Sequence, residues 1–170
     1  MINLEKCDLM KQELVYLGFV LCQGNLKMDQ CKVDAILNWP TPKVVIEVRS
    51  FNGLAQYYSK FIKHFSAICA PMLDTIKGGM KIKFNWNLKE NEGFETLKKR
   101  ISTQPILFLP SFDKLFPVES DASYVAIGVV LSQEERPMTF HSEKLNDAKR
   151  NYSSYDLELY DLVQDLRKWR

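Results

Sequence analysis

The run at residues 118–131, VESDASYVAIGVVL, constrains the fold more than any other stretch of the chain. An apolar strand ends on a carboxylate, Asp121, and after a reversal a second apolar strand begins, rich in β-branched residues. Asp121 stands where a chain would otherwise bury Val or Ile. A carboxylate there is costly unless solvent, a partner or a metal compensates it. The local pattern alone favours a turn cap, with Asp121-Ala122-Ser123 bonding its own backbone; a chemical role stays open beside it.

Around this run the pattern reads β-β-β-α. Strands are expected at residues 115–120, 125–132 and 137–142, with a polar turn at 133–136 and a charged connection at 146–151. Ser153 or Ser154 then caps a last helix. Its stripe of Tyr155, Leu159, Leu162, Val163, Leu166 and Trp169 is expected to face the sheet. At about 100° per residue, Glu158 falls roughly 60° off the centre of that stripe, at its rim. Asp165 lies in nearly the same direction, whereas Asp156 and Asp161 point further out. Periodicity does not choose between Glu158 and Asp165. If the helix packs over the first strand, Asp121 and Glu158 could share a cation, and hard oxygen ligands suit Mg²⁺ or Mn²⁺. Two carboxylates are too few for a two-metal site.

Upstream, residues 4–28 read as a β-hairpin or meander, with one strand over 14–21 and a turn at Gln23-Gly24-Asn25. Gly18 inside that strand suggests a bulge or a close backbone. Asp29 caps a short helix over 30–39, which Pro40-Thr41-Pro42 ends. Thr41 is then expected to cap a new helix with Pro42 at its first position. Its stripe of Val44, Val45, Val48, Phe51 and Ala55 runs on as helix through 56–77. Along this stretch Tyr57, Tyr58 and Phe61 interleave with Lys43, Arg49, Lys60, Lys63 and His64. Rings beside cations can hold a sugar-phosphate backbone, or can simply be a bundle with a solvated basic face. Gly78-Gly79 marks a boundary. An extended segment at 81–86 follows, then a helix capped by Asn87 that reaches about 104 and buries Phe94, Leu97 and Ile101. Lys98-Lys99-Arg100 suits that helix's C-terminal dipole.

A chain of 170 residues with net charge +2 has no strong global field, so a nucleic-acid partner must be held by local basic patches. Cys7, Cys22, Cys31 and Cys69 show neither CxxC nor zinc-ligand spacing, and read as reduced thiols. The charged start is no signal peptide, and no apolar run approaches membrane-spanning length. A cytoplasmic or nuclear protein without a membrane partner is expected.

Many segments together resemble the Pol polyprotein of gypsy-type LTR retrotransposons, most of all the plant elements of that group. They are Tyr16-Leu17-Gly18-Phe19, Trp39-Pro40-Thr41-Pro42, Arg49-Ser50-Phe51-Asn52-Gly53-Leu54-Ala55-Gln56-Tyr57-Tyr58, Phe61-Ile62, Phe84-Asn85-Trp86 and Pro105-Ile106-Leu107. Asp121-Ala122-Ser123, Ile127-Gly128-Val129-Val130-Leu131-Ser132-Gln133 and Asn151-Tyr152-Ser153-Ser154-Tyr155 complete the set. The likeness covers essentially the whole chain in one register. It implies an α/β (α+β) chain: the end of a reverse transcriptase palm at 1–28, a helical thumb at 29–79, a connection at 80–113 and the N-terminal part of an RNase H-like domain at 114–170. It also implies that Asp121 and Glu158 are catalytic metal ligands for Mg²⁺ (or Mn²⁺). Tyr16 and Gly18 would lie in the primer grip, and Lys43, Arg49, Tyr57, Tyr58, Lys60 and Lys63 would contact an RNA–DNA hybrid or template–primer duplex.

The pattern departs from the family where acid is counted. The polymerase aspartates of the family would precede Met1, and its remaining RNase H aspartates would follow Arg170. Tyr124 stands where the family often has a small or polar residue. The expectation is a piece of a reverse transcriptase and ribonuclease H polyprotein that partners the remainder of Pol and is inactive alone. The alternative is a noncatalytic nucleic-acid-binding or interaction module derived from a retrotransposon.

Overall fold

Three two-residue reversals set the strand pairing. Leu17-Gly18, Gln23-Gly24 and Glu134-Glu135 all have positive φ at both positions, between 45° and 77°, the geometry whose twist matches tight hairpins. The computed structural model describes residues 11–77, 84–103, 105–123 and 125–169. The first two reversals join β1 (Glu13–Tyr16), β2 (Phe19–Cys22) and β3 (Asn25–Met28) into an antiparallel meander, to which β4 (Leu107–Phe108) adds. The strand expected over 14–21 is therefore two strands, and Gly18 is a turn residue rather than a bulge. A side chain at 18 would face both the positive φ and the Tyr58 hydroxyl, 3.0 Å from a Cβ.

The helical layer packs behind this sheet. Asp29 caps α1 (Gln30–Leu37) by accepting from the Cys31 N–H at 3.0 Å. The next helix, α2 (Val45–Tyr57), starts later than Thr41-Pro42 predicts. Its extended cap residue Val44 makes no side-chain bond, and Glu47 instead reaches back to accept from the Lys43 N–H at 2.6 Å. The continuous helix expected through 56–77 is also broken: a 3₁₀ turn at Ser59–Phe61 and a left-handed His64 (φ 59°) separate α2 from α3 (Phe65–Asp74). The break lets Tyr58, Phe61, Ile62 and Phe65 all enter one core, each 2% exposed or less. As expected, α4 (Leu88–Ser102) is capped by Asn87 and buries Phe94, Leu97 and Ile101; Glu90 completes a capping box there. The Gly78-Gly79 boundary, Cys7, Tyr124 and most of segment 81–86 lie outside the described residues; 84–87 have no regular structure.

Tyr57 and Phe19 tie helices to meander. Their rings stack with centroids 5.0 Å apart, and the Tyr57 hydroxyl donates to the Leu17 carbonyl. Tyr57→Phe removes that bond and is expected to cost about 1 kcal/mol in urea unfolding at unchanged slope. An unshifted midpoint would mean that water serves the turn equally well.

A second antiparallel sheet holds β5 (Val118–Ala122), β6 (Ala126–Gln133) and β7 (Arg136–Lys144) in that order. The first strand starts later than expected and the third is longer at both ends. Ser153 caps α5 (Ser154–Lys168) by accepting from the Asp156 N–H. α5 lies against β5 with a different face inward from the one its stripe predicts. Leu157, Asp161 and Asp165 are buried, whereas Tyr155 is 84% exposed and Leu159 and Leu166 are each 62% exposed. Among the described residues the whole is a mixed α+β fold of five α-helices and two antiparallel sheets. No described helix is long and apolar enough to cross a membrane.

The helical part and the second sheet are clamped together along α3 and β7. Ser142 Oγ accepts from the Ser66 N–H at 2.8 Å, and Ser66 Oγ donates to the Ser142 carbonyl at 2.8 Å. One turn beyond the helix centre, Lys144 Nζ meets Asp74 Oδ1 at 2.8 Å.

Candidate active site

The turn after β5 does not need Asp121. Ser123 closes it: its hydroxyl donates to the Ala126 carbonyl at 2.7 Å and accepts from the Ala126 N–H at 3.2 Å. The turn-cap reading of Asp121 therefore gives way to Ser123. The Asp121 carboxylate is free to face a groove of about 550 Å³, lined by Ser120, Asp121, Tyr155, Glu158, Leu159 and Leu162. β5 supplies Asp121, opposite Gly128 of β6, and α5 supplies the exposed Glu158. Of Glu158 and Asp165, which periodicity leaves open, Glu158 is the one that lines the groove with Asp121.

Asp165 goes elsewhere. It is 1% exposed and lines an apolar pocket of about 490 Å³ with Phe112, Phe116, Val118, Leu131, Met138 and Trp169 among others. Asp161, expected to point outward, is 0% exposed. Among the described residues none of their four carboxylate oxygens has a hydrogen-bond partner. Burial, then the charges of Asp165 and Asp121, push the Asp161 carboxyl up to about 7, and burial pushes Asp165 up to about 6.

One neighbour of Asp121 comes from the helical part. His64 Nε2 lies 3.6 Å from Asp121 Oδ2, and its ring passes over Gly128. On sequence grounds His64 is one more basic residue in a helix. The only advance signal is its type, since His is among the few side chains enriched in the left-handed region.

The donor set suits a hard divalent ion. Asp121 and Glu158 offer oxygen only, from two elements that meet at one groove, as Mg²⁺ or Mn²⁺ requires. Among the described residues no group of three or more His, Cys, Asp or Glu is placed to hold a metal, so these two are a partial set.

Of the expected nucleic-acid residues, Tyr16, Gly18, Tyr57, Tyr58 and Lys60 gather around Phe19, while Lys43, Arg49 and Lys63 are exposed. Tyr16 and Tyr57 are 59% and 46% exposed and present ring surface to solvent. Tyr58 is a correction: at 1% exposed it is core and cannot stack on a base. Lys60 is half-buried with its ammonium 3.7 Å over the Phe19 ring, and desolvation lowers its pKa. Its charge is committed to that ring.

The family model for the RNase H-like domain found in reverse transcriptase matches residues 86–170, so it takes in α4 as well as the second sheet. The chain is 40% identical over 169 residues to the retrovirus-related Pol polyprotein from transposon 297 of Drosophila melanogaster, covering 99% of this chain and 16% of that protein. It is 37% identical to the corresponding polyprotein from transposon gypsy of the same fly, covering 98% and 17%. The chain thus spans about one sixth of the length of these curated relatives. Solved structures of the foamy viral protease-reverse transcriptase share its fold. The complex with dsDNA gives TM-score 0.85 over 96% of this chain and 35% of that one, and the complex with RNA/DNA hybrid gives 0.86 over 96% and 23%, both at 19% identity. The chain belongs to the RNase H-like domain family of reverse transcriptases, and its homologues are Pol polyproteins of gypsy and other LTR retrotransposons.

Proposed function

We propose that the chain serves reverse transcription as the thumb-like and RNase H-like portion of a Pol protein, binding an RNA–DNA hybrid or template–primer duplex whose RNA strand is hydrolysed at the Asp121–Glu158 groove. The observation that carries this reading is the convergence of those two carboxylates, from β5 and α5, on one open groove. Residues up to 28 are read as the end of a palm, 29–79 as thumb and 80–113 as connection. Asp121 and Glu158 would hold Mg²⁺, or Mn²⁺ in its place. When bound, that ion supplies Lewis-acid charge at the scissile phosphate and lowers the pKa of water. The exposed cations Lys43, Arg49 and Lys63 neutralise phosphates, and the Tyr16 and Tyr57 rings offer stacking surface beside the 17–18 turn.

Two carboxylates leave the ligand set short, so the 170-residue chain alone is expected to bind hybrid without cutting it. This same shortage favours the second reading, a noncatalytic binding module. A labelled hybrid titrated across salt with Mg²⁺ present tests both. Binding should weaken with a log–log slope of roughly −0.7 to −0.9 per phosphate contacted, and changing Lys43, Arg49 and Lys63 together to Ala should flatten the slope by about two to three. A flat wild-type response would overturn hybrid binding. Cleavage by the chain that Asp121→Asn abolishes would overturn its inactivity and reject the noncatalytic reading.

A further inference from the structure

We infer that His64 is a positioning residue for Asp121, through which the helical part of the chain sets the orientation of a carboxylate on the RNase H-like sheet. The inference rests on the reading of Asp121 as a metal ligand, and three independent features of the structure carry it.

The backbone is the first. His64 has φ 59° and ψ 30°, a left-handed conformation that disfavours most side chains, and it sits where the chain turns from the 3₁₀ segment into α3. A continuous helix through this point would carry the side chain elsewhere. The second is the space made for the ring. A Cβ on Gly128 would lie 2.9 Å from His64 Nδ1 and 3.4 Å from Cε1, so of the natural residues only glycine at 128 admits the imidazole in this place. Gly128 is also the residue directly opposite Asp121 in the β5–β6 ladder. The missing side chain on one strand thus opens the approach to the carboxylate on its neighbour. The third is anchorage. The Ser66–Ser142 hydrogen bonds and the Lys144–Asp74 ion pair hold α3 on β7, so the ring is delivered by a docked helix rather than by a free loop.

At 3.6 Å the Nε2–Oδ2 approach is longer than a formed hydrogen bond, but it is close enough for the polar edge of the ring to attract one carboxylate oxygen. Holding Oδ2 toward His64 restricts how the carboxylate sits at the groove that Glu158 shares. Partners of this kind orient metal-binding carboxylates, and their loss typically lowers metal affinity 10- to 100-fold.

The test uses the full chain and two readouts. In wild type the scalar couplings across Asp121 Cα–Cβ are expected to report one dominant rotamer. His64→Ala and Gly128→Ala should both give averaged couplings, the second because its methyl evicts the ring. His64→Gln can place an amide N–H near the same oxygen, and should restore the single rotamer. The second readout is Mn²⁺ titration followed by paramagnetic broadening at the Asp121 and Glu158 amides, with affinity falling about tenfold in His64→Ala and recovering in His64→Gln. Unchanged couplings in both alanine variants overturn the inference whatever the metal does. Couplings that change as expected while Mn²⁺ broadens neither amide in wild type uphold the contact and overturn the metal-ligand reading of Asp121 instead.

Discussion

Changing Asp161 and Asp165 together to Ala is expected to stabilise the chain by about 3–5 kcal/mol at pH 8, and to remove most of its pH dependence between pH 4 and 7. Both carboxyls are sealed from water without hydrogen-bond partners among the described residues, and both hold their protons more tightly folded than unfolded. The sign follows from proton counting. Below about pH 4 both states are protonated and nothing is lost. As pH rises, the unfolded chain releases these protons near the ordinary carboxylate value while the folded chain keeps them to about 6 and about 7, so stability falls through that window. Proton retention to about 7 at Asp161 and about 6 at Asp165, against the ordinary carboxylate value, sets an upper limit of about 7 kcal/mol. Part of that is the mutual repulsion of the pair, and a small outward movement of α5 would relieve more, so the lower range is expected. Asn has the helix propensity of Asp, so Asp161→Asn with Asp165→Asn separates charge from propensity. It should recover the high-pH loss but leave unpaired amides, for a smaller gain. Denaturant midpoints at pH 5 and pH 8 decide the matter. A wild-type chain equally stable at both would show that the carboxylates reach water.

These two acids also mark where the sequence is a poor guide. The period-3.6 stripe of Tyr155, Leu159, Leu162 and Leu166 is real, yet periodicity says only that one helix face is apolar, not which surface covers it. In the structure that face is open, and the sheet receives Leu157, Asp161 and Asp165. Strand existence in the 118–144 region was legible because β-branched alternation and a Glu134-Glu135 turn act locally. So was α4, whose Asn87–Glu90 box is a local device. The break between α2 and α3 was not, because no Gly or Pro signals it; the burial of Tyr58, Phe61 and Phe65 in one core imposes it. The two-residue β4 is too short to show any period, and only its pairing with β3 defines it. At the site, family resemblance pointed to Asp121 and Glu158 as candidates, and both line one groove. His64 escaped because its role depends on a distant glycine making room.

The second large effect is expected at Gly93, where α4 crosses α3. A Cβ there would sit 2.9 Å from the Ile68 carbonyl oxygen, and backbone cannot rotate aside as a side-chain tip can. Two terms compete in Gly93→Ala. Helix propensity favours alanine by about 1 kcal/mol, whereas forcing an extra methyl into a closed helix contact costs about 1–3 kcal/mol. The close approach to main chain puts the cost near the upper end, so the net expectation is a loss of about 1–2 kcal/mol. Gly93→Val adds two methyls and a stiff χ1, and should lose about 3 kcal/mol or more. The consequence extends beyond stability, because His64 directly precedes α3, which is clamped to β7 through Ser66 and Lys144. If α3 is levered off α4, the strain reaches the ring beside Asp121. Gly93→Ala should therefore broaden or shift the His64 and Gly128 signals at a distance from the mutation, while leaving the β1–β2 turn signals in place. A Gly93→Ala chain more stable than wild type would mean that the helices part freely. The rigid connection from α4 through α3 to the carboxylate would then be lost as an explanation.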